Sequence, residues 1–353
     1  MIGGDLKVAN YRYRARNENS DFVLFPSNPS VKPISMFSSV MLLCKIGIAT
    51  DPLFIHETLF NCGLLESLLI FIFIMLLIQL STILYTRCWF YGIAYNYPDI
   101  WECVVGSKST QFVPIILIIL AYLSFVVYHG YEVFEDFQSF LATVTTNAPS
   151  FLANKYLITY VLCFLCGFPA FFVKDFTSLV PVAIIGNLSM AVHMICLLAS
   201  LIRAGKNFGF QITVQTIADG EVDDYGFSPF TTFFSKDIVG LFLGIGDIMT
   251  AFFTQPMLDL TFQNMSNPTI SRCLKCTWIT SFCSLFVHYL TSVVSYFLVQ
   301  FHYDSYLTNS YGNHFNLFLS DMQNEKILFN FPFSHPEAVI GQIASYIETL
   351  TSL

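Results

Sequence analysis

Between Lys45 and Pro52 the chain places Lys45, Gly47, Thr50, Asp51 and Pro52 in an otherwise apolar stretch, SVMLLCKIGIATDPLFI. Pro52 has no backbone N–H, and it disfavours helical geometry at Asp51. Gly47 carries no side chain, so another group can approach its backbone closely. About 200 residues later a second apolar stretch, GIGDIMTAFFTQPMLDL, is interrupted in the same manner by Gly244, Gly246, Asp247, Thr250, Thr254, Gln255 and Pro256. A broken helix exposes backbone groups with no intrahelical partner. Its N–H ends attract an anion such as a carboxylate, and its C=O ends attract a cation or an ammonium group. A zwitterionic amino acid satisfies both. The competing reading is a plain proline kink, with Lys45 and Asp51 snorkelling to opposite interfaces.

Three histidines, His129, His193 and His288, also fall in apolar stretches. Each either relays protons or packs between helices through one hydrogen bond. The ten cysteines include two CxxC pairs, Cys163/Cys166 and Cys273/Cys276. No histidine lies near either pair, so they read as small buried hydrophobes and no metal site is expected. No nucleophile–base grouping with usable spacing is present, and the chain reads as a non-enzyme without a cofactor.

The elements that must carry these residues follow from composition. The chain has 353 residues, 55% hydrophobic and 17% aromatic, with only 11% charged, against roughly 25% charged in a soluble domain. So few charges cannot cover so much apolar surface in water. A net charge of −8 also argues against a nucleic-acid partner. The lipid bilayer is the implied solvent. A spanning helix needs about 20 mostly apolar residues. Stretches 67–86, 111–131, 156–173, 176–202 and 277–301 qualify without a charge, 34–55 and 238–258 qualify with one or two, and an eighth begins near Pro336 and carries Glu348. None alternates apolar with polar residues as a barrel strand would. The expected class is an all-α polytopic membrane protein.

The chain therefore divides into a cytosolic tail (1–33), five helices (34–202), an outer loop (203–237), two helices (238–301), an outer loop (302–335) and the start of an eighth helix (336–353). The tail is polar, holds Pro26, Pro29 and Pro33 and contains no apolar signal-peptide core. With the N-terminus in the cytoplasm, ten Lys and Arg fall inside and five outside, as the positive-inside bias requires. Two interrupted spans at corresponding places in two halves are the best sequence pointer to a transporter site. Here the first opens the chain and the second follows five helices, the spacing of a five-plus-five inverted repeat.

At this level the sequence resembles the amino acid/auxin permease family, within the amino acid–polyamine–organocation transporter superfamily. Four passages carry the resemblance: KIGIATDPLF in the first span, NYPDIWECVVGSK at 96–108, FPAFFVKDFTSLVPVAIIGNLSM at 168–190 and TAFFTQPMLDLTFQNMSNP at 250–268. The resemblance implies an APC/LeuT-like fold whose second repeat is C-terminally incomplete. It implies secondary active transport of amino acids, with H+ or Na+ as the coupling ion in a symport. Carried over by position, the substrate site comprises Gly47, Ile48, Ala49 and Thr50 in the first span and Ala251, Phe252, Phe253, Thr254 and Gln255 in the sixth. Pro52 and Pro256 break the two helices. Lys45 stands where the family has a glycine and Asp51 where it has an apolar residue, which suggests a charge pair. The implied location is a plasma or vacuolar/lysosomal membrane.

The expected function is thus a secondary transporter of amino acids or related zwitterions by alternating access. The rivals are a seven-helix chemosensory-type receptor and a truncated transporter relic that no longer transports. A receptor with the usual outside N-terminus reverses the topology. Asn264-Met265-Ser266 is a glycosylation acceptor pattern placed in the cytoplasm here. Endoglycosidase treatment should therefore leave the gel mobility of the chain unchanged at this site. A glycan on Asn264 would reverse the orientation.

Overall fold

The computed structural model describes residues 33–48, 58–59, 62–92, 97–105, 110–120, 123, 156–157, 160–161, 164, 176–208, 214–217, 231–234, 238–252, 254–266, 268–308, 340–341, 343–344, 347 and 351. These are mostly helical. In chain order they form α1 (Met36–Ile48), α2 (Leu64–Gly92), α3 (Tyr97–Val105), α4 (Val180–Phe208, entered through a 3-10 turn at Phe176–Leu179), β1 (Val214–Ile217), β2 (Thr231–Phe234), α5 (Ile238–Thr250), α6 (Leu258–Asn264) and α7 (Ile270–Thr308).

Three segments are long and apolar enough to cross a bilayer: Leu64–Arg87, Thr177–Arg203 and Ile270–Leu298. They coincide with the stretches expected at 67–86, 176–202 and 277–301. Of the stretch expected at 111–131, residues 111–120 and 123 are described and 112–120 are helical; the stretch at 156–173 and the eighth helix from Pro336 lie mostly outside the described residues, as does the tail 1–32. The arrangement of polar groups on the long helices identifies the solvent. On α7, Ile279, Phe282 and Phe286 face outward, whereas Thr277, Thr280, Ser281, Ser284, His288, Thr291, Ser292 and Ser295 are buried. On α2, Leu69, Phe73, Leu76, Leu80 and Leu84 face outward while Gln79, Thr82 and Thr86 are buried. A surface more apolar than the interior is stable only against lipid, so these helices belong to a membrane protein.

The helices pack around α7, which has its most extensive contact with α1 and lies also against α2 and α4. Polar groups bridge them, as expected where apolar packing alone gives no preference over lipid. Gln79 Nε2 donates to the Thr277 carbonyl at 2.9 Å and also to the Ser281 hydroxyl. Tyr289 donates to the Leu64 carbonyl at 3.0 Å, and Asn187 Nδ2 donates to the Met41 carbonyl at 2.8 Å. Aromatic contacts add to this: Phe71 meets Phe252 and Tyr289 edge-on, with ring centroids 6.3 and 5.9 Å apart.

Within the expected outer loop 203–237 the structure contains a small sheet. β1 and β2 pair in parallel, with Val214 opposite Thr231 and Ile217 opposite Phe234. The sheet seats on the start of α2 through Gly63, whose φ is +80°. A Cβ at Gly63 would come within 2.7 Å of the Phe233 backbone carbon. Left-handed geometry and a backbone neighbour that cannot give way both demand glycine. Gly63→Ala should therefore cost about 1–3 kcal/mol. At Gly246 a Cβ meets open space, and Gly246→Ala should be neutral or stabilising. Melting temperatures in detergent test this, and equal effects at the two sites would contradict the seating of the sheet.

Candidate functional site

The second interruption is visible in the backbone. α5 stops at Thr250 after 13 residues, about 20 Å, well short of a hydrocarbon core of roughly 30 Å. The chain resumes as a single 3-10 turn at Gln255–Met257 and then as α6. Pro256 explains the gap. It has no N–H, and in a continuous helix its ring would meet the carbonyl of Phe252, four residues earlier. That carbonyl instead accepts from the Thr254 N–H at 2.7 Å, closing a three-residue turn. The proline and the local turn act together, so the ladder does not re-form across 251–254.

The residues of the first expected interruption, 49–57, lie outside the described residues, but the helix that leads to them lies beside the second. α1 runs to Ile48, with Gly47 in its last turn. A Cβ at Gly47 would fall 2.6 Å from Thr254 Cγ2 and 3.0 Å from Ser284 Oγ. α1 and the second interruption are therefore in direct contact, and the absence of a side chain at Gly47 allows it. His288, on α7, closes the junction: its Nε2 lies 2.9 Å from the Gly47 carbonyl oxygen. A carbonyl only accepts, so Nε2 carries the hydrogen and Nδ1 is left as an acceptor. Nδ1 makes no hydrogen bond among the described residues, and the backbone of Ala251 lies beside the ring.

The same two segments meet again on either side of this point. Below the gap, Ile34 pairs with the exit of α6: its N–H donates to the Asn264 carbonyl and its carbonyl accepts from the Ser266 N–H, both at 2.8 Å. Leu43 of α1 shares a core with Leu258, Phe262 and Met265. Beyond the gap, Gly244 of α5 lies against Cys62 and Thr58, which follow the first interruption in sequence. The segment before each gap thus packs on the segment after the other.

Of the expected site residues, the structure brings Gly47, Ala251 and Thr254 to one junction with His288. Ile48 packs with Cys44 and Met190, against Cys283 and Val287 of α7. Phe252 is buried with Phe71, Ile74 and Ile248 and forms an apolar wall. Gln255 Nε2 reaches away to the Ser81 hydroxyl at 2.8 Å. Ala49, Thr50 and Phe253, and also Asp51 and Pro52, lie outside the described residues, and with Asp51 goes the expected Lys45–Asp51 pair. Lys45 is only 7% exposed. Its stem runs over Gly186 of α4, where a Cβ would lie 2.6 Å from Lys45 Cε and 2.5 Å from the Thr351 hydroxyl. Two residues along a helix amount to about 200°, so Lys45 and Gly47 occupy opposite faces of α1. The lysine serves the α4 side, away from the contact with Thr254.

Sequence reasoning singled out His288 without a partner and did not identify Thr280 and Ser284. Their signal is present: polar residues recur along α7 at helical spacing in an apolar background. Among the described residues no group of three or more metal-ligating side chains forms. Comparison with family models, with curated proteins and with solved structures finds no match.

Proposed function

We propose that this chain is a secondary transporter of amino acids or related small zwitterions, working by alternating access. One observation carries the reading: the segment leading into the first expected interruption meets the second, about 200 residues on in sequence, at Gly47 and Thr254. Non-helical backbone at membrane depth is tolerated only inside protein or beside an aqueous cavity. The gap seen before Pro256, together with the one the sequence places after Gly47, would concentrate carbonyl and amide dipoles that a charged small molecule can use. The crosswise packing of Ile34 on Asn264 and Ser266, and of Gly244 on Thr58 and Cys62, supports an inverted repeat. In such an architecture each half contributes one broken helix, and rocking of one half against the other opens the site to alternate sides. Phe252, held against Phe71, supplies an apolar wall for the side chain of the solute.

The test is uptake of a mixture of radiolabelled amino acids into proteoliposomes holding the purified chain. Wild-type protein should accumulate label. Gly47→Leu places a branched side chain into Thr254 and Ser284, and it should reduce uptake at least tenfold at equal reconstituted protein. Uptake indifferent to Gly47→Leu would remove the site from the proposal. No uptake by the wild type of any amino acid in the mixture would refute the transport reading.

A further inference from the structure

Beside the junction, two cysteines meet across the α1–α7 interface. Cys44 of α1 and Cys283 of α7 pack in one cluster with Ile48, Met190 and Val287. Both thiols are free, and they are hydrogen-bonded to each other. The Thr280 hydroxyl, three residues before Cys283 on α7, bonds to the Cys44 sulfur. A head-to-tail chain thus runs from the Thr280 O–H to Cys44 and from the Cys44 S–H to Cys283. The backbones come close here because the facing residues are small: a Cβ at Gly47, three residues after Cys44, would lie 3.0 Å from Ser284 Oγ, next to Cys283. A disulfide asks for Cβ atoms about 3.5–4.5 Å apart, and small side chains are what let two membrane helices approach closely.

The two sulfurs differ in access. Among the described free cysteines Cys283 alone is half-buried; Cys44, Cys62, Cys196, Cys273 and Cys276 are buried. Cys283 adjoins Phe282 and stands three residues before Phe286, both of which face outward, so a small neutral oxidant reaches it from the lipid side while Cys44 waits behind it. Cys276 also lies near Cys44, but its thiol is directed at the Met36 carbonyl, 3.9 Å away. An exposed sulfur with a second thiol poised against it is the arrangement of a redox-modified cysteine. With a peroxide as oxidant the chemistry closes. The Cys283 sulfur attacks one peroxide oxygen, the O–O bond breaks, an S–O bond forms, and the thiol proton leaves with the departing oxygen as water. The Cys44 sulfur then attacks the sulfenic sulfur of Cys283. The S–S bond forms, the S–O bond breaks, and the hydroxyl leaves with the Cys44 proton as a second water. Two electrons pass from the two sulfurs to the peroxide.

We infer that Cys44 and Cys283 are a peroxide-sensitive modification site, and that their reversible disulfide braces α1 against α7. The brace falls three residues before Gly47, whose carbonyl is held by His288 of the same helix α7. Covalent bond and hydrogen bond then clamp one end of α1 to one partner. The crosslink closes a loop of about 240 residues, and a disulfide restricts the unfolded chain more as the loop it closes lengthens. The inference does not rest on the transport reading.

The experiment treats the full chain, reconstituted in lipid, with hydrogen peroxide, blocks the remaining thiols and digests with chymotrypsin in the absence of reductant. Cleavage after Trp278 and Phe282 separates Cys276 from Cys283. Mass spectrometry should find a peptide linking Cys44 to Cys283 that disappears on treatment with dithiothreitol. Its yield should fall roughly tenfold or more in Cys44→Ser and in Cys283→Ser and persist in Cys276→Ser. Cys283→Ala, at the more exposed position, carries the comparison if Cys44→Ser does not reach the membrane. Oxidation should also raise the melting temperature of the wild type in detergent by about 5 °C or more, and it should not do so in Cys283→Ser. Thiols left unmodified by peroxide, a Cys283 sulfinic acid with no link to Cys44, a link from Cys44 to Cys276 in its place, or a link with no rise in melting temperature each overturns the inference.

Discussion

Lipid offers no hydrogen bonds, so a helix that breaks in a bilayer must find partners for its backbone within the protein. The rest of this structure follows from that constraint. The gap at 251–254 is closed partly by its own turn, through the Thr254 N–H and the Phe252 carbonyl. The Gly47 carbonyl is satisfied by His288, 241 residues away. A histidine on a third helix thus secures the junction between α1 and the interrupted α5–α6 segment. Gly47 lacks a side chain because Thr254 and Ser284 occupy the space beside it.

Around this junction the helices are built in the reverse sense of a soluble bundle. The outward faces of α2 and α7 are largely Leu, Ile and Phe, and their buried faces mix apolar residues such as Phe71, Ile74 and Leu298 with Ser, Thr, Gln and His. Apolar residues gain little by leaving lipid for protein, so polar residues supply the specificity of packing. The bonds from Gln79 to Thr277 and Ser281 fix α2 against α7, and the bond from Asn187 to Met41 fixes α4 against α1. The packing of these helices therefore depends on side chains that contribute little apolar area.

Much of this was legible in the sequence, and the limits have physical causes. Pro256 announced the second gap because a missing N–H is a local property. The lipid-facing spans 67–86, 176–202 and 277–301 were legible because a continuous apolar run needs no tertiary information. The partner of His288 was not, since a backbone carbonyl leaves no mark in the identity of its residue. The seat of Lys45 over Gly186 was not legible, since contact with another helix leaves no mark in the local sequence. β1 and β2 escaped notice because each has four residues, too few to show alternation, and their pairing is set by the seat at Gly63. The hydroxyl line on α7 was visible at helical spacing, but only burial distinguishes a polar seam from scattered serines and threonines.

The central claim is that His288 joins α1 to the interrupted α5–α6 segment through the Gly47 carbonyl. Solid-state NMR of protein in lipid, with 15N-labelled histidine and carbonyl-13C-labelled glycine, measures this contact directly. The structure predicts a short-range histidine–glycine dipolar coupling that disappears in His288→Gln and persists in His193→Gln, whose own contact is with Gly341. A spectrum in which no coupling depends on His288 would contradict the account.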